Sequence, residues 1–553
     1  MTDHKNRSTT YTYDIWGNLT SRTDIDGTVT TVSRAWASEN GERPAAKNAL
    51  IKTTTSVPGH PTTITYTDAL GREVKRGEMR MDGRYMYVST EYDKRGNISR
   101  KSLPYKTTYD SQVLWNTYTY DDYGRRTMYQ EASGIRSTVS YLTAVRADGQ
   151  GQPSGQGQDT DQWQTGVTTV KENVTSTKAY DVMGGLLQAK DAGGTIRYSY
   201  RPDGQLDTLT APGGYLTVFT YDSFGRRTSI TDPSVGTRSS SEVWANDGTC
   251  TKTETNDKGS VTTAYDLYGR KTSVTRTGPG AFNTAYTYNT DGLLTSVTST
   301  NSTSTVYTYD SYDRVSTETL NAPDSKSLVR SYTYASSSLG GRLSSVGYTA
   351  LGKSYYTATN TYSSYGNGTG ISGTMSVSSE NDMGLPTVVS TALASRVYYY
   401  DAYGRQGERI LSIPNGMGGA QTVQDLGYDY DNSTHNIAVR WDWTRPTWDE
   451  FSYDSLDRLS QDWTTYPQYD SLGNITSLRG RQQQYASAGH PYRQTAGSMY
   501  GSLSRIQQIV YTAYDRPYTI REGNRVATFT YNDAGDRVKM QMADTLGNVI
   551  YTR

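Results

Sequence analysis

A neutral chain of 553 residues, with 55 basic side chains against 55 acidic ones, lacks the cation surplus that phosphate contacts demand, which excludes an electrostatic nucleic-acid binder. Its single cysteine, Cys250, excludes an internal disulfide framework. No apolar run is long enough for a membrane-spanning helix, and Met1 to Thr10 has no hydrophobic signal region. Leu, Ile, Val and Phe are scarce, and 49 Tyr against 5 Phe take their place. A sheet one layer thick and wetted on both faces needs side chains with apolar bodies and polar tips, and Tyr meets both demands.

From the N-terminus onward one frame, Tyr-Asp-x-x-Gly, recurs. It opens at Tyr13-Asp14 with Gly17, and returns at Tyr92 with Gly96, Tyr120 with Gly124, Tyr180 with Gly184 and Tyr221 with Gly225. Later copies start at Tyr265, Tyr400 and Tyr469. In further copies Arg201, Asn289 or Asn532 replaces the Asp, and Asp313, Asp457 or Asp515 replaces the Gly. The copies at Tyr200, Tyr221, Tyr265, Tyr288 and Tyr309 stand roughly 20 to 23 residues apart, or about twice that, the period range of solenoids and arrays.

Before the anchor an aromatic falls at every second place, as in Tyr11 and Tyr13, Phe219 and Tyr221, or Phe529 and Tyr531, which is strand periodicity. The Asp accepts hydrogen bonds from amides just ahead and starts a turn. The fifth residue needs positive φ, which Gly supplies freely and Asp tolerates. A second strand follows, such as Leu19 to Thr23 or Ile475 to Leu478. It runs to a different tight turn at Asp26-Gly27, Gly193-Gly194, Gly213-Gly214 or Lys258-Gly259. Each unit adds two antiparallel strands to one meander, and Arg226 and Arg270 at the sixth place are expected as turn-flanking surface residues.

The segment 147–166 is rich in Gly and Gln and is expected to be a flexible insertion, the first site of proteolysis. Asn367 to Asn381 and Pro414 to Gly419 are expected as interruptions where hairpins protrude. Tyr428 to Trp463 departs from the simple unit with a dense aromatic run, still read as strands and a longer turn. The chain ends in a strand after Gly547-Asn548, expected to be the edge of an incomplete assembly.

The repeated frame is the signature of the YD-repeat proteins, also called Rhs repeats, and the chain resembles that family along nearly its whole length. Relatives include the encapsulating components of bacterial Tc toxins, polymorphic toxins and animal teneurins. The resemblance implies an all-β fold, a continuous ribbon of antiparallel hairpins over residues 1–553 that coils into a hollow shell or spiral. It also implies secretion or a cell-surface location. Toxin-type members end in a core segment with a DPxGLxD-like motif. None occurs here, so no autoprotease residue carries over.

The implied function is a structural, non-enzymatic wall that encloses a polypeptide cargo, with the cargo or other parts of the same parent protein as partners. The alternative is a surface protein that binds carbohydrate. For that, Trp441 and Trp443, two residues apart on one strand face, are the candidate platform, set against packing between hairpins. His4, His60, His435 and His490 have no metal-ligand or triad spacing, so no catalytic residue, metal or cofactor is expected. Asp24-x-Asp26-Gly27 starts like a calcium loop but has Ala35 where the closing Glu belongs, and is expected to be a hairpin turn. The ribbon is expected to coil around a cavity because accumulated strand twist forbids a flat sheet of this length, while the aliphatic content is too low for a two-sheet sandwich.

Overall fold

The computed structural model describes the chain except residues 4, 38–47, 107–111, 146–163, 173, 234, 417, 486–490, 493–495 and 500–507. The expected insertion at 147–166 therefore lies almost wholly outside the described residues. Within them the fold is all β, with 47 strands joined by turns and two single-turn 3-10 helices, Pro212–Gly214 and Ser337–Leu339. Strands pair antiparallel with their neighbours in sequence, as Leu216–Tyr221 does with Arg227–Asp232 and that strand with Gly236–Trp244. The first 38 strands form one sheet, followed by sheets of four and five. Asn367 to Asn381 is not an interruption, because Gly368–Ile371 and Met375–Glu380 are ordinary paired strands. Their Ser and Gly content reflects solvated edges and tight turns, and not a break in the ladder.

The alternation of side chains divides the sheet into two unlike faces. Tyr anchors occupy one. The other carries hydroxyl ladders, in which Thr220 Oγ1 meets both Thr228 Oγ1 and Ser229 Oγ at 2.8 Å, and Thr308 repeats the pattern with Ser316 and Thr317. The molecule exposes 32904 Å² of accessible surface, against about 20000 Å² for a compact monomer of this mass. It is a wall, and its apolar cores are small islands. One holds Ile64, Tyr66 and Val74, with the Lys75 ammonium 4.1 Å from the Tyr87 ring centroid. Another holds Ala527, Phe529 and Tyr531.

Residues remote in sequence meet at a regular interval. Lys5 Nζ donates to Asp313 Oδ1 at 2.6 Å across 308 residues, and Arg80 Nη2 to Glu380 Oε1 at 2.6 Å across 300. Farther on, Asn256 Nδ2 reaches the Ala513 carbonyl across 257 residues and Asn301 Nδ2 the Tyr531 carbonyl across 230. A ribbon that returns to itself in this way is a coil, and the falling separation means that it tightens. About 25 strands per revolution at roughly 4.8 Å each make a ring about 120 Å around and about 40 Å across at the start, narrowing to about 30 Å.

Candidate functional site

A protein built as a wall has its working parts in the repeat and in the seam between coils. In the unit at Asp222, the amide nitrogens of Phe224 and Arg226 both donate to Asp222 Oδ1 at 2.9 Å, and Arg226 Nε donates to Oδ2 at 2.8 Å. The Gly225 amide donates to the Asp222 carbonyl, and Gly225 sits at φ +78°. Where Asp replaces that glycine the left-handed backbone persists, with φ of 67° at Asp313, 57° at Asp457 and 60° at Asp515. The backbone amide of Arg226, opposed by partial burial and aided by the Arg226 side chain, holds the Asp222 carboxyl below the usual carboxylate range. At the variant turn after Tyr430, the Ser433 hydroxyl and the Thr434 and Ser433 amides bring Asp431 down to about 2.

The anchor ring lies across the sheet toward the preceding unit. Tyr221 Oη donates to the Leu206 carbonyl at 2.8 Å, Tyr309 to Leu294 at 2.7 Å and Tyr531 to Pro517 at 2.6 Å. In each case the acceptor opens the strand after the previous turn. The sixth-place arginine is more than a surface residue. While bound to its own Asp, Arg314 lies 4.2 Å from the centroid of Tyr334 in the next unit, and Arg405 lies 4.6 Å from Tyr430. Where the sixth residue is Arg, Tyr, Asp and Arg thus form a relay that ties a hairpin to the one before and the one after; at Asn18, Asn97 and Asn474 an asparagine takes the Arg's place on the Asp. The low Phe count was the sequence signal for it, since Phe offers the same ring without the hydroxyl.

Many outward strands lead to a glycine-bearing turn on the opposite margin, as at Gly27, Gly59, Gly83 and Gly213, and the coil is sealed where that margin receives the Tyr-Asp turns of the following revolution. A Cβ built on Gly59 would lie 2.5 Å from the Leu339 carbonyl oxygen, and one on Gly366 2.5 Å from that of Gly59. Backbone meets backbone there, and any side chain would part the coils. Arg342 Nη1 donates to the Gly59 carbonyl. Farther along, Leu456 and Leu472 lie over Gly193 and Gly213, and Tyr514 packs edge-on against both Phe282 and Tyr531. The two described histidines also lie at this seam: His60 Nε2 is 3.4 Å from the Gly340 carbonyl oxygen, and His435 Nδ1 is 3.7 Å from Glu131 Oε2. His4 and His490 lie outside the described residues.

Trp441 and Trp443 come together as a stack, with centroids 5.3 Å apart and planes 8° from parallel, and Trp448 tilts against Trp441 at 5.8 Å. Trp441 Nε1 donates to Asp429 Oδ2 at 2.8 Å, while Trp443 and Trp448 are half-exposed. Stacking uses one face of each ring, so the accessible surface is their outer faces and edges. Among the described residues no group of three or more His, Cys, Asp or Glu is placed to hold a metal, and no helix is long and apolar enough to cross a membrane. Cys250 is buried, and burial beside Glu242 pushes its thiol pKa up.

The family model described as RHS Repeat matches residues 1–29, 200–234 and 288–326. No curated protein matches the chain. Among solved structures the fold is similar to the Photorhabdus luminescens Tc holotoxin pore carrying a TccC3 mutation, at 12% identity and a TM-score of 0.53 over 98% of this chain. It is also similar to TcdB2-TccC3 without its hypervariable C-terminal region, at 13% identity and a TM-score of 0.51 over 99%. At such identities the likeness is one of fold, and this chain spans 38% of the length of either.

Proposed function

We propose that this chain of RHS repeats, with a fold like that of the Tc toxin shell, is a length of container wall whose coil surrounds and shields a polypeptide. The observation that carries this reading is the return of the ribbon on itself, from Lys5 to Asp313 and from Arg80 to Glu380, which makes a ring instead of a packed core. A ring about 40 Å across, less about 5 Å of side chain on each side, leaves a lumen about 30 Å wide. A folded domain of about 100 residues, with a radius of gyration near 13 Å, would fill or exceed that width. A cargo of about 100 residues or more would therefore be held at least partly unfolded.

The test is protease protection of the parent protein with the coil intact, combined with imaging of the lumen. Polypeptide density inside the coil, and a fragment outside the ribbon that survives until the wall is opened, are expected. An empty lumen with no protected fragment would overturn the reading. A second reading, carbohydrate binding, is supported by the half-exposed Trp443 and Trp448 beside Trp441. Titration with oligosaccharides should then change tryptophan fluorescence in the natural chain and not in Trp443→Ala; no change in either counts against it.

A further inference from the structure

The repeat covers its anchor rings with its own cations. Arg405, bound to Asp401, lies 4.6 Å from the Tyr430 centroid, and Arg458, bound to Asp454, lies 4.3 Å from that of Tyr469. On the opposite face of the same strands stand rings and carboxylates without the cation. Pairing runs from Tyr399 to Glu408, to Gly427, to Trp441 and to Trp448, so these residues form one row across five strands. Gly427 leaves a gap in the row and Trp443 leans into it, since a Cβ there would lie 3.1 Å from the Trp443 Nε1. Trp443 and Trp448 are 56 and 50% exposed. Alternation puts Asp425 and Asp429 on this face, one on each side of Gly427. Asp425 Oδ1 is buried and has no hydrogen-bond partner among the described residues. Burial and the neighbouring Asp425 carboxyl push the Glu408 pKa up. The same alternation turns the basic residues of these five strands, Arg396, Arg409 and Arg440, to the other face, where Arg440 pairs with Asp449. Arg445 stands in the connecting turn, and among the described residues no Lys or Arg lies over Trp441, Trp443 or Trp448.

We propose that this platform docks an arginine-bearing segment of another polypeptide, whose guanidinium groups stack on the outer faces of Trp443 and Trp448 and bind Asp425 and Asp429. Charge complementarity sets the sign, because the face carries carboxylates and no base. Guanidinium fits better than ammonium, since a planar group can lie flat on an indole while its fork reaches a carboxylate. The wall uses that geometry itself where Arg405 joins Asp401 to Tyr430. A polypeptide fits better than a small cation, because a flat sheet face lacks the enclosure on which small-molecule sites depend. Asp425 and Asp429, four residues apart on one strand, stand about 13 Å apart, the span between residues i and i+4 of an extended segment laid alongside. Several weak contacts then reinforce one another. The inference is independent of what the wall encloses, and it gives Trp443 a ligand other than carbohydrate.

The test measures binding of two fluorescein-labelled peptides of equal charge, RGRGR and KGKGK, to the natural chain. RGRGR should bind at least about threefold more tightly, because only its side chains can stack and fork at once. Trp443→Leu and Trp448→Leu should each weaken RGRGR by about two- to fivefold, and together they should remove its advantage over KGKGK. Asp425→Asn with Asp429→Asn should weaken both peptides. Equal binding of the two peptides by the natural chain would show attraction by charge alone and overturn the proposal, with no variant required to fold. RGRGR binding that the paired tryptophan variant leaves unchanged would place the peptide elsewhere and also overturn it. Argininamide that binds as tightly as RGRGR would show a small-molecule site, against the docking of a polypeptide. A neutral oligosaccharide that quenches tryptophan fluorescence where RGRGR does not bind would overturn this inference and leave the carbohydrate reading standing; no response to either ligand would overturn both.

Discussion

The seam between coils is built from two chemistries. At its wide end charges join the revolutions: Lys5 and Arg7 meet Asp313, Arg80 meets Glu380, and Arg84 meets Asp382. At its narrow end side chains interlock. Phe282 and Tyr531 are 5 and 4% exposed, Tyr514 lies between them, and the Arg276 guanidinium covers Phe282 at 4.2 Å from its centroid. A tighter ring brings the margins close enough to exclude water, and burial then contributes more than charge. Where the ring is wider, long charged side chains bridge the margins at lower cost in desolvation. One seam therefore has an end held mainly by charge, which responds to salt and acid, and an end held mainly by packing, where the more exposed pairs Arg238 with Asp515 and Lys539 with Asp324 give only a smaller response.

The largest expected effect breaks the packed end. Phe282→Ala removes the ring on which Tyr514 and Arg276 rest, and should cost about 3 to 5 kcal/mol of local stability. Hydrogen exchange should rise in Arg525–Tyr531 and its neighbours, equally at low and high salt. At the charged end, Glu380→Ala leaves the largely buried Arg80 without its main partner and should cost about 1 to 3 kcal/mol. The Arg84 pair with Asp382 is exposed, so its loss should cost under about 1 kcal/mol and vanish in salt. Equal salt dependence at both ends would erase the distinction.

Acid should separate the ends further. The side chains of Lys5 and Arg7 hold the Asp313 carboxyl below its ordinary value of 3.8. A carboxyl lowered by folding stabilises the fold fully above that ordinary value, and the stabilisation is lost as pH falls through the folded pKa. Asp82, held at about 2 where the Lys106 ammonium and the Arg84 amide overcome the effect of burial, follows the same sign. Between about pH 4 and pH 2 the charged end should open first, seen as exchange at residues 1–9 and 80–84, while Phe282 and its neighbours stay protected. Simultaneous opening would contradict the comparison. The turn carboxyls such as Asp222 are lowered too, so individual hairpins should loosen over the same range.

Much of the repeat was legible in the sequence, because its causes are local. Aromatic alternation marks a strand, Asp starts a turn, and positive φ restricts the fifth place to Gly or Asp; Asp313, Asp457 and Asp515 follow that restriction. The reach of Arg314 to Tyr334 was not legible, because it depends on the register between hairpins and on the fall of a long side chain. The seam was less legible still. Nothing local pairs Gly59 with Leu339 across 280 residues, since that contact follows from the circumference of the ring, a sum of small twists over some 25 strands. Ser- and Gly-rich strands at Gly368–Ile371 and Met375–Glu380 misled the reading because solvated strands and loops share a composition.

The smallest expected effect concerns what both ends share. Tyr309→Phe keeps the ring and removes only the hydrogen bond to the Leu294 carbonyl at 2.7 Å. A bond between neutral partners contributes about 0.5 to 1.5 kcal/mol net, because water replaces it in the open state. At partly buried Tyr309 water can also reach the freed carbonyl, so a loss of about 0.5 to 1 kcal/mol is expected. Tyr531→Phe is the sharper case. Its residue is 4% exposed and its hydroxyl donates to the Pro517 carbonyl at 2.6 Å beneath the packed end of the seam. There the carbonyl would lose its partner with less access to water, and the loss should rise to about 1 to 3 kcal/mol. Exchange rates of the paired strands in the two variants measure the difference. A larger loss at Tyr309 than at Tyr531 would mean that the hydroxyl relay, and not the exclusion of water at the narrow end, sets the strength of the wall.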